Sequence, residues 1–147
     1  MKTIFDQTTR EELLTRIKKL NETNTAQWGK MNIYQMVKHC TLFDEMVLGR
    51  KKYKQSFIGF LFGKMALKGM IKDELPVKKN MPTVAGFKVT GNGDVITEKN
   101  KWIGLVEEYS DFSNYDFVHP FFGKMTVEQI GYLVYKHTDH HLRQFNA

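Results

Sequence analysis

The sequence predicts an all-α fold, a four-helix bundle with an extra helical segment and a long crossover connection. Three observations predict it. Capping signatures near residues 8, 32 and 126 place a Ser/Thr/Asn-type side chain three residues before a Glu or Gln, the arrangement that satisfies free N–H groups of a first helical turn. Apolar residues then recur at helical spacing. One long stretch, "DELPVKKNMPTVAGFKVTGNGD" at 73–94, carries two prolines and three glycines and reads as an extended connection.

The first helix opens at Thr8 and Thr9, with Glu11 and Glu12 three residues on, and its apolar side is Leu13, Leu14, Ile17 and Leu20. "NETNTAQWGKM" reads as a loop. The second helix begins at Asn32, with Gln35 as its capping partner. Met36, His39, Cys40, Phe43, Met46 and Val47 form one apolar stripe, which turns His39 inward. Gly49 and the basic run after it end the helix. Residues 56–71 form the extra helical segment, broken or softened by Gly59, Gly63 and Gly69. Lys64, Lys68 and Lys72 repeat every four residues along one face. That face is either the solvated side of a helix packed on the body or a membrane-surface contact.

In the long connection "FKV" is briefly strand-like, and connections of this length are often functional or lie across a surface. A helix follows from Val95 to Tyr109, with Ile96, Trp102, Ile103, Leu105 and Val106 as its core residues. "FSNYDFVHPFFGKM" is an aromatic loop that can line a pocket. The last helix starts at Thr126, with Gln129 three residues on, and runs to Phe145. Ile130, Leu133, Val134, His137, His141 and Phe145 share one face.

At 147 residues the chain fits a single domain, 1–147, with one core. The opening "MKTIFDQTTREELL" has no apolar h-region, and no stretch approaches the ~18 uninterrupted apolar residues of a membrane span. Cys40 is the only cysteine, so no internal disulfide is expected, and a reducing, cytoplasmic setting is the simplest reading. The net charge of +6 hints at an acidic partner. No zinc-finger spacing, phosphate loop or RNP-like strand accompanies it, so no nucleic-acid partner is expected.

Three of the five histidines fall in "YKHTDHHLRQF" at 135–145. His137 and His141 are four apart, within about 40° of each other on a helix, so both rings reach one point beside it. The face that carries them is apolar. Two buried imidazoles need partners, and a metal ion satisfies both at once. A third ligand must come from another helix, and His39 is the other histidine on an inward helical stripe. Three neutral nitrogens with an open position suit a reactive site, and zinc, nickel, copper or iron all accept them. The competing reading is hydrogen-bonded core histidines. His140 lies on the flank. Arg143 and Gln144 either meet a substrate at the site mouth or cap the helix end. His119, before Pro120, and Cys40 read as structural.

Three stretches, "WGKMNIYQMVKHC" at 28–40, "FKVTGNGD" at 87–94 and "HPFFGKMTVEQIGYLVYKHTDHHLRQF" at 119–145, give the chain a resemblance to the DinB/YfiT-like proteins, and within them to the DUF1569 group. The resemblance spans nearly the whole chain. It implies an up-down-down-up four-helix bundle and a metal held by one histidine of the second helix and two of the last, roles that fall on His39, His137 and His141. It also implies a homodimer. Some relatives are metal-dependent thiol S-transferases using low-molecular-weight thiols; others are assigned as hydrolases or isomerases. The expectation is therefore a divalent ion, zinc or nickel, that activates a small-molecule thiol or water against an electrophile. A non-catalytic metal-binding or stress-response module and an interaction bundle remain open alternatives.

Overall fold

Helices form where the capping chemistry starts them. The computed structural model describes residues 1–147 and is mostly helical: α1 Gln7–Lys19, α2 Ile33–Val47, α3 Phe57–Met70, α4 Val95–Glu107 and α5 Val127–Gln144. Short 3₁₀ turns lie at Ala85–Phe87 and Glu108–Asp111. Two-residue strands β1 Val118–His119 and β2 Gly123–Lys124 pair antiparallel, Val118 opposite Lys124 and His119 opposite Gly123.

The boxes expected at α2 and α5 both close. Asn32 accepts from the Gln35 backbone at 2.9 Å while the Gln35 side chain accepts from the Asn32 N–H at 3.1 Å. Thr126 and Gln129 do the same at 3.2 and 3.0 Å. At α1 the cap is Asp6, not Thr8 or Thr9. Its carboxylate accepts from the Thr9 backbone N–H at 2.7 Å. A carboxylate caps well and also meets the positive end of the helix dipole, so the helix begins two to three residues earlier than the threonines suggested. Gly49, at φ +84°, ends α2 in the left-handed conformation expected of it.

Three further expectations need correction. The glycines do not break α3, which is continuous. Gly59 and Gly63, four apart, instead form the face that lies on the Phe121 backbone, where a Cβ at Gly59 would sit 2.5 Å from the Phe121 carbonyl oxygen and one at Gly63 would also collide with it. "FKV" is not a strand: the chain turns at Ala85–Phe87 and drops the Phe87 side chain into the core. Ile96 is exposed and Val95 buried, because the inward face of α4 runs through Val95, Glu98, Trp102, Leu105 and Val106, and Ile96 lies about 100° round the helix from Val95. That helix also ends at Glu107 and tightens into the 3₁₀ turn that carries the buried Tyr109.

The inward stripes meet in one cluster of 26 buried hydrophobic residues, centred on side chains such as Met36, Trp102, Ile130 and Leu142. Within it α2 packs on α4 and α5, and α1 packs on the same two helices. Phe112, Phe117 and Phe122 of the aromatic loop belong to this cluster, and Phe112 also lines a small pocket with Leu48, Glu108 and Asn114, away from the histidines. Asp44, on the buried side of α2, joins the core through two hydrogen bonds: it accepts from Trp102 Nε1 at 2.8 Å and from the Tyr109 hydroxyl at 2.7 Å. Burial pushes its carboxyl up to about 7, against the pull of those two donors. The segment α3 stands apart and rests on β2. No helix is long and apolar enough to cross a membrane.

Candidate metal centre

The packing of α2 on α5 brings His39 against His137 and His141. One nitrogen from each ring lies within 4.8 Å of the others. His39 Nε2 is 3.1 Å from His137 Nε2. In tetrahedral zinc, with Zn–N near 2.0–2.1 Å, two ligand nitrogens are separated by about 3.3 Å, so this pair is spaced as ligands of one ion would be.

The other ring nitrogens explain why the lone pairs converge. His39 Nδ1 is 3.0 Å from the Phe87 carbonyl oxygen, and His141 Nδ1 is 2.9 Å from Gln144 Oε1. Both partners only accept, so each Nδ1 carries the proton and each Nε2 presents a bare lone pair. Gln144 is itself fixed, because its Nε2 donates to the Trp28 carbonyl at 2.8 Å, which sets which end of the amide faces His141. Gly29, at φ +83°, leaves the room for it: a Cβ there would be 2.8 Å from Gln144 Nε2. His137 has no such acceptor. Its Nδ1 is buried without a hydrogen-bond partner, and the ring is held by stacking on Phe43 at 3.9 Å.

Burial, with mutual repulsion among the rings, pushes His137 and His141 well below the ordinary histidine value. Burial pushes His39 down as well, against the Phe87 hydrogen bond. All three are therefore neutral near pH 7, which is the ligating form. Three neutral imidazoles with converging lone pairs, His39 and His141 buried and His137 half-buried, fit a divalent transition-metal ion. Without one, the 3.1 Å contact between the two Nε2 atoms requires a proton from His137; its Nδ1 lacks a partner in either state, as a donor with an ion bound and as an acceptor without.

The remaining candidates separate. Gln144 belongs to the centre as the partner of His141. His140 is half-buried, its ring 5.1 Å from that of His141 and 5.7 Å from Trp28. It faces a groove of about 380 Å³ whose wall also includes Trp28, Lys79 and Arg143. Arg143 does not reach the triad: its Nε is 2.7 Å from Asp139, which also holds Arg16 at 2.7 Å. His119 is structural, its Nδ1 accepting from the Phe121 and Phe122 backbone N–H groups at 3.0 and 3.1 Å, with burial pushing it down to about 4. Cys40 is buried beside Met36, and burial pushes its thiol up.

Sequence reasoning missed the Phe87 carbonyl, the Phe43 stack and Gly29. A backbone oxygen leaves no mark in a sequence, but Phe43 lies one turn beyond His39 on the same stripe, and that spacing was available.

A search of curated proteins and a search of solved structures each found no match. The family described as "protein of unknown function (DUF1569)" matches residues 3–147, which takes in all three histidines and every element that positions them, and the chain belongs to that family.

Proposed function

We propose that the chain is a metal-dependent enzyme in which His39, His137 and His141 hold one divalent ion, zinc or nickel, and that it acts as a thiol S-transferase on a low-molecular-weight thiol and an electrophile. One observation carries the reading: protein oxygens occupy Nδ1 of His39 and His141, so their Nε2 lone pairs point at a common place beside His137. An ion bound there supplies Lewis acidity that lowers the pKa of a thiol or water. The chain's own residues do the positioning. Phe87 and Gln144 orient two ligands, Phe43 holds the third, and the apolar surroundings keep all three neutral.

The same proposal includes the up-down-down-up bundle, which the packing of α1 and α2 on both α4 and α5 supports, and one domain, which the single core supports. A cytoplasmic homodimer completes it, on the strength of the resemblance.

Elemental analysis of untagged protein purified without chelator tests the site. About one equivalent of metal is expected in the wild type and none in a His137→Ala/His141→Ala variant of intact helicity. Metal in neither protein would sink the proposal. Metal with no transfer or hydrolysis across a thiol and electrophile panel would leave a non-catalytic binding module.

Gln144→Ala should weaken metal binding roughly 10–100-fold, because His141 then loses the acceptor that fixes its tautomer. Competition with a chromophoric chelator reads this directly. Gln144→Glu, which keeps the acceptor but loses the amide that donates to Trp28, should weaken it less. Equal affinity for Gln144→Ala and wild type would remove Gln144 from the site.

A further inference from the structure

The helix α3 leaves most of its surface unpartnered. It meets the body through Gly59, Gly63 and Leu67, and its outward side carries Phe57, Ile58, Phe60, Leu61, Phe62 and Met65, each between 53% and 76% exposed. Six large apolar side chains within nine residues, all open, exceed the scattered single exposures ordinary on a protein surface. At those exposures they present roughly 700 Å².

Charge says what covers them. From Met46 to Lys72 the chain contains no Asp or Glu and seven lysines and arginines. Arg50 and Lys51 are paired with Glu108 and Glu45, Lys72 lies 3.8 Å from Asp73, and Lys64 donates to the Lys124 carbonyl. Lys52, Lys54 and Lys68 have no acidic partner. So the apolar patch is flanked on its N-terminal side by Lys52 and Lys54 and on its C-terminal side by Lys68. A symmetric second copy docking by this face would bring the same cations together, and α3 itself carries no carboxylate to neutralise them.

We propose that α3 is an interfacial helix that lies on an anionic lipid surface, its aromatic half in the headgroup–acyl boundary and its lysines against the lipid phosphates. Fourteen residues make about 21 Å of helix, enough to lie in the interface and too short to span. The long lysine stems let apolar and charged positions share one face, since the ammonium reaches past the apolar side chains to the headgroups. Ser56 caps the helix through the Gly59 N–H, and the glycine face fixes it on the hairpin, so no folding step need accompany binding.

The test is flotation of the full chain with vesicles of phosphatidylcholine alone and of phosphatidylcholine with about one-third phosphatidylglycerol. At least tenfold more protein should float with the anionic vesicles, and added salt should reverse it. Phe60→Glu/Phe62→Glu should abolish flotation. Lys54→Glu/Lys68→Glu should reduce it by more than tenfold, since each lysine at an anionic surface contributes about fivefold. All four positions are exposed, and unchanged helicity and metal content would report an intact fold. Equal recovery with both vesicle types, or no flotation with either, overturns the proposal. Failure to float together with a dimer that Phe60→Glu/Phe62→Glu dissociates in sedimentation equilibrium would also overturn it and assign the face to a second copy.

Discussion

Adding a strong chelator to the purified protein should lower its melting temperature by about 10 °C, and the His137→Ala/His141→Ala variant should not respond. The reason is mass action. An ion that binds the folded chain and not the unfolded one stabilises by about 4 kcal/mol when free metal is at a thousand times its dissociation constant. For a chain of this length each kcal/mol moves the midpoint by a few degrees. Acid should act in the same direction. His39, His137 and His141 have folded values below their unfolded one, so the unfolded chain binds more protons as pH falls below about 6.5. Their contribution to stability is therefore present above that pH and is lost on acidification, with metal released over the same range. A chelator effect equal in wild type and variant would place any bound metal elsewhere.

The readable part of this centre came from periodicity. His137 and His141 were legible because a four-residue spacing on an apolar helical face leaves few other arrangements, and His39 because its stripe of apolar neighbours forces it inward. The elements around them were legible where side chains cap helices, at Asn32 and Thr126. The unread parts have different causes. Gly59 and Gly63 read as helix breakers, but a glycine pair at helical spacing is also what lets a helix touch another backbone, and only the hairpin at Phe121 decides between the two. Phe87 read as part of a strand because its neighbours alternate, while its tertiary role is to offer a carbonyl to His39. Gln144 was singled out with its function open, since its two ends are chemically distinct and the Trp28 carbonyl chooses between them. Asp44 went unread although it sits in the same stripe as Cys40 and Val47, where a carboxylate among apolar positions is itself a signal.

Asp44→Ala should destabilise the protein by about 3 kcal/mol, the loss expected when two buried donors, Trp102 Nε1 and the Tyr109 hydroxyl, are left without their acceptor. Chemical denaturation checks it. Asp44→Asn should cost less, because an amide oxygen still accepts one of the two bonds. The informative quantity is how the wild-type and Asn proteins diverge with pH. The folded Asp44 carboxyl is raised to about 7 from an unfolded value near 4, so the folded chain holds its proton between those limits and the unfolded chain does not. Its contribution is fully present below the unfolded value and is lost as pH rises through 7. This runs opposite to the histidines, whose contribution grows with pH, so the wild-type profile alone mixes the two. The difference from Asp44→Asn cancels the histidines and isolates the carboxyl. Between pH 4 and 8 that difference should move in favour of the Asn variant by a few kcal/mol. A difference that stays constant across the range would mean Asp44 is ionised throughout. Trp102 and Tyr109 would then be bridging α2, α4 and the 108–111 turn through a buried carboxylate rather than a neutral acid.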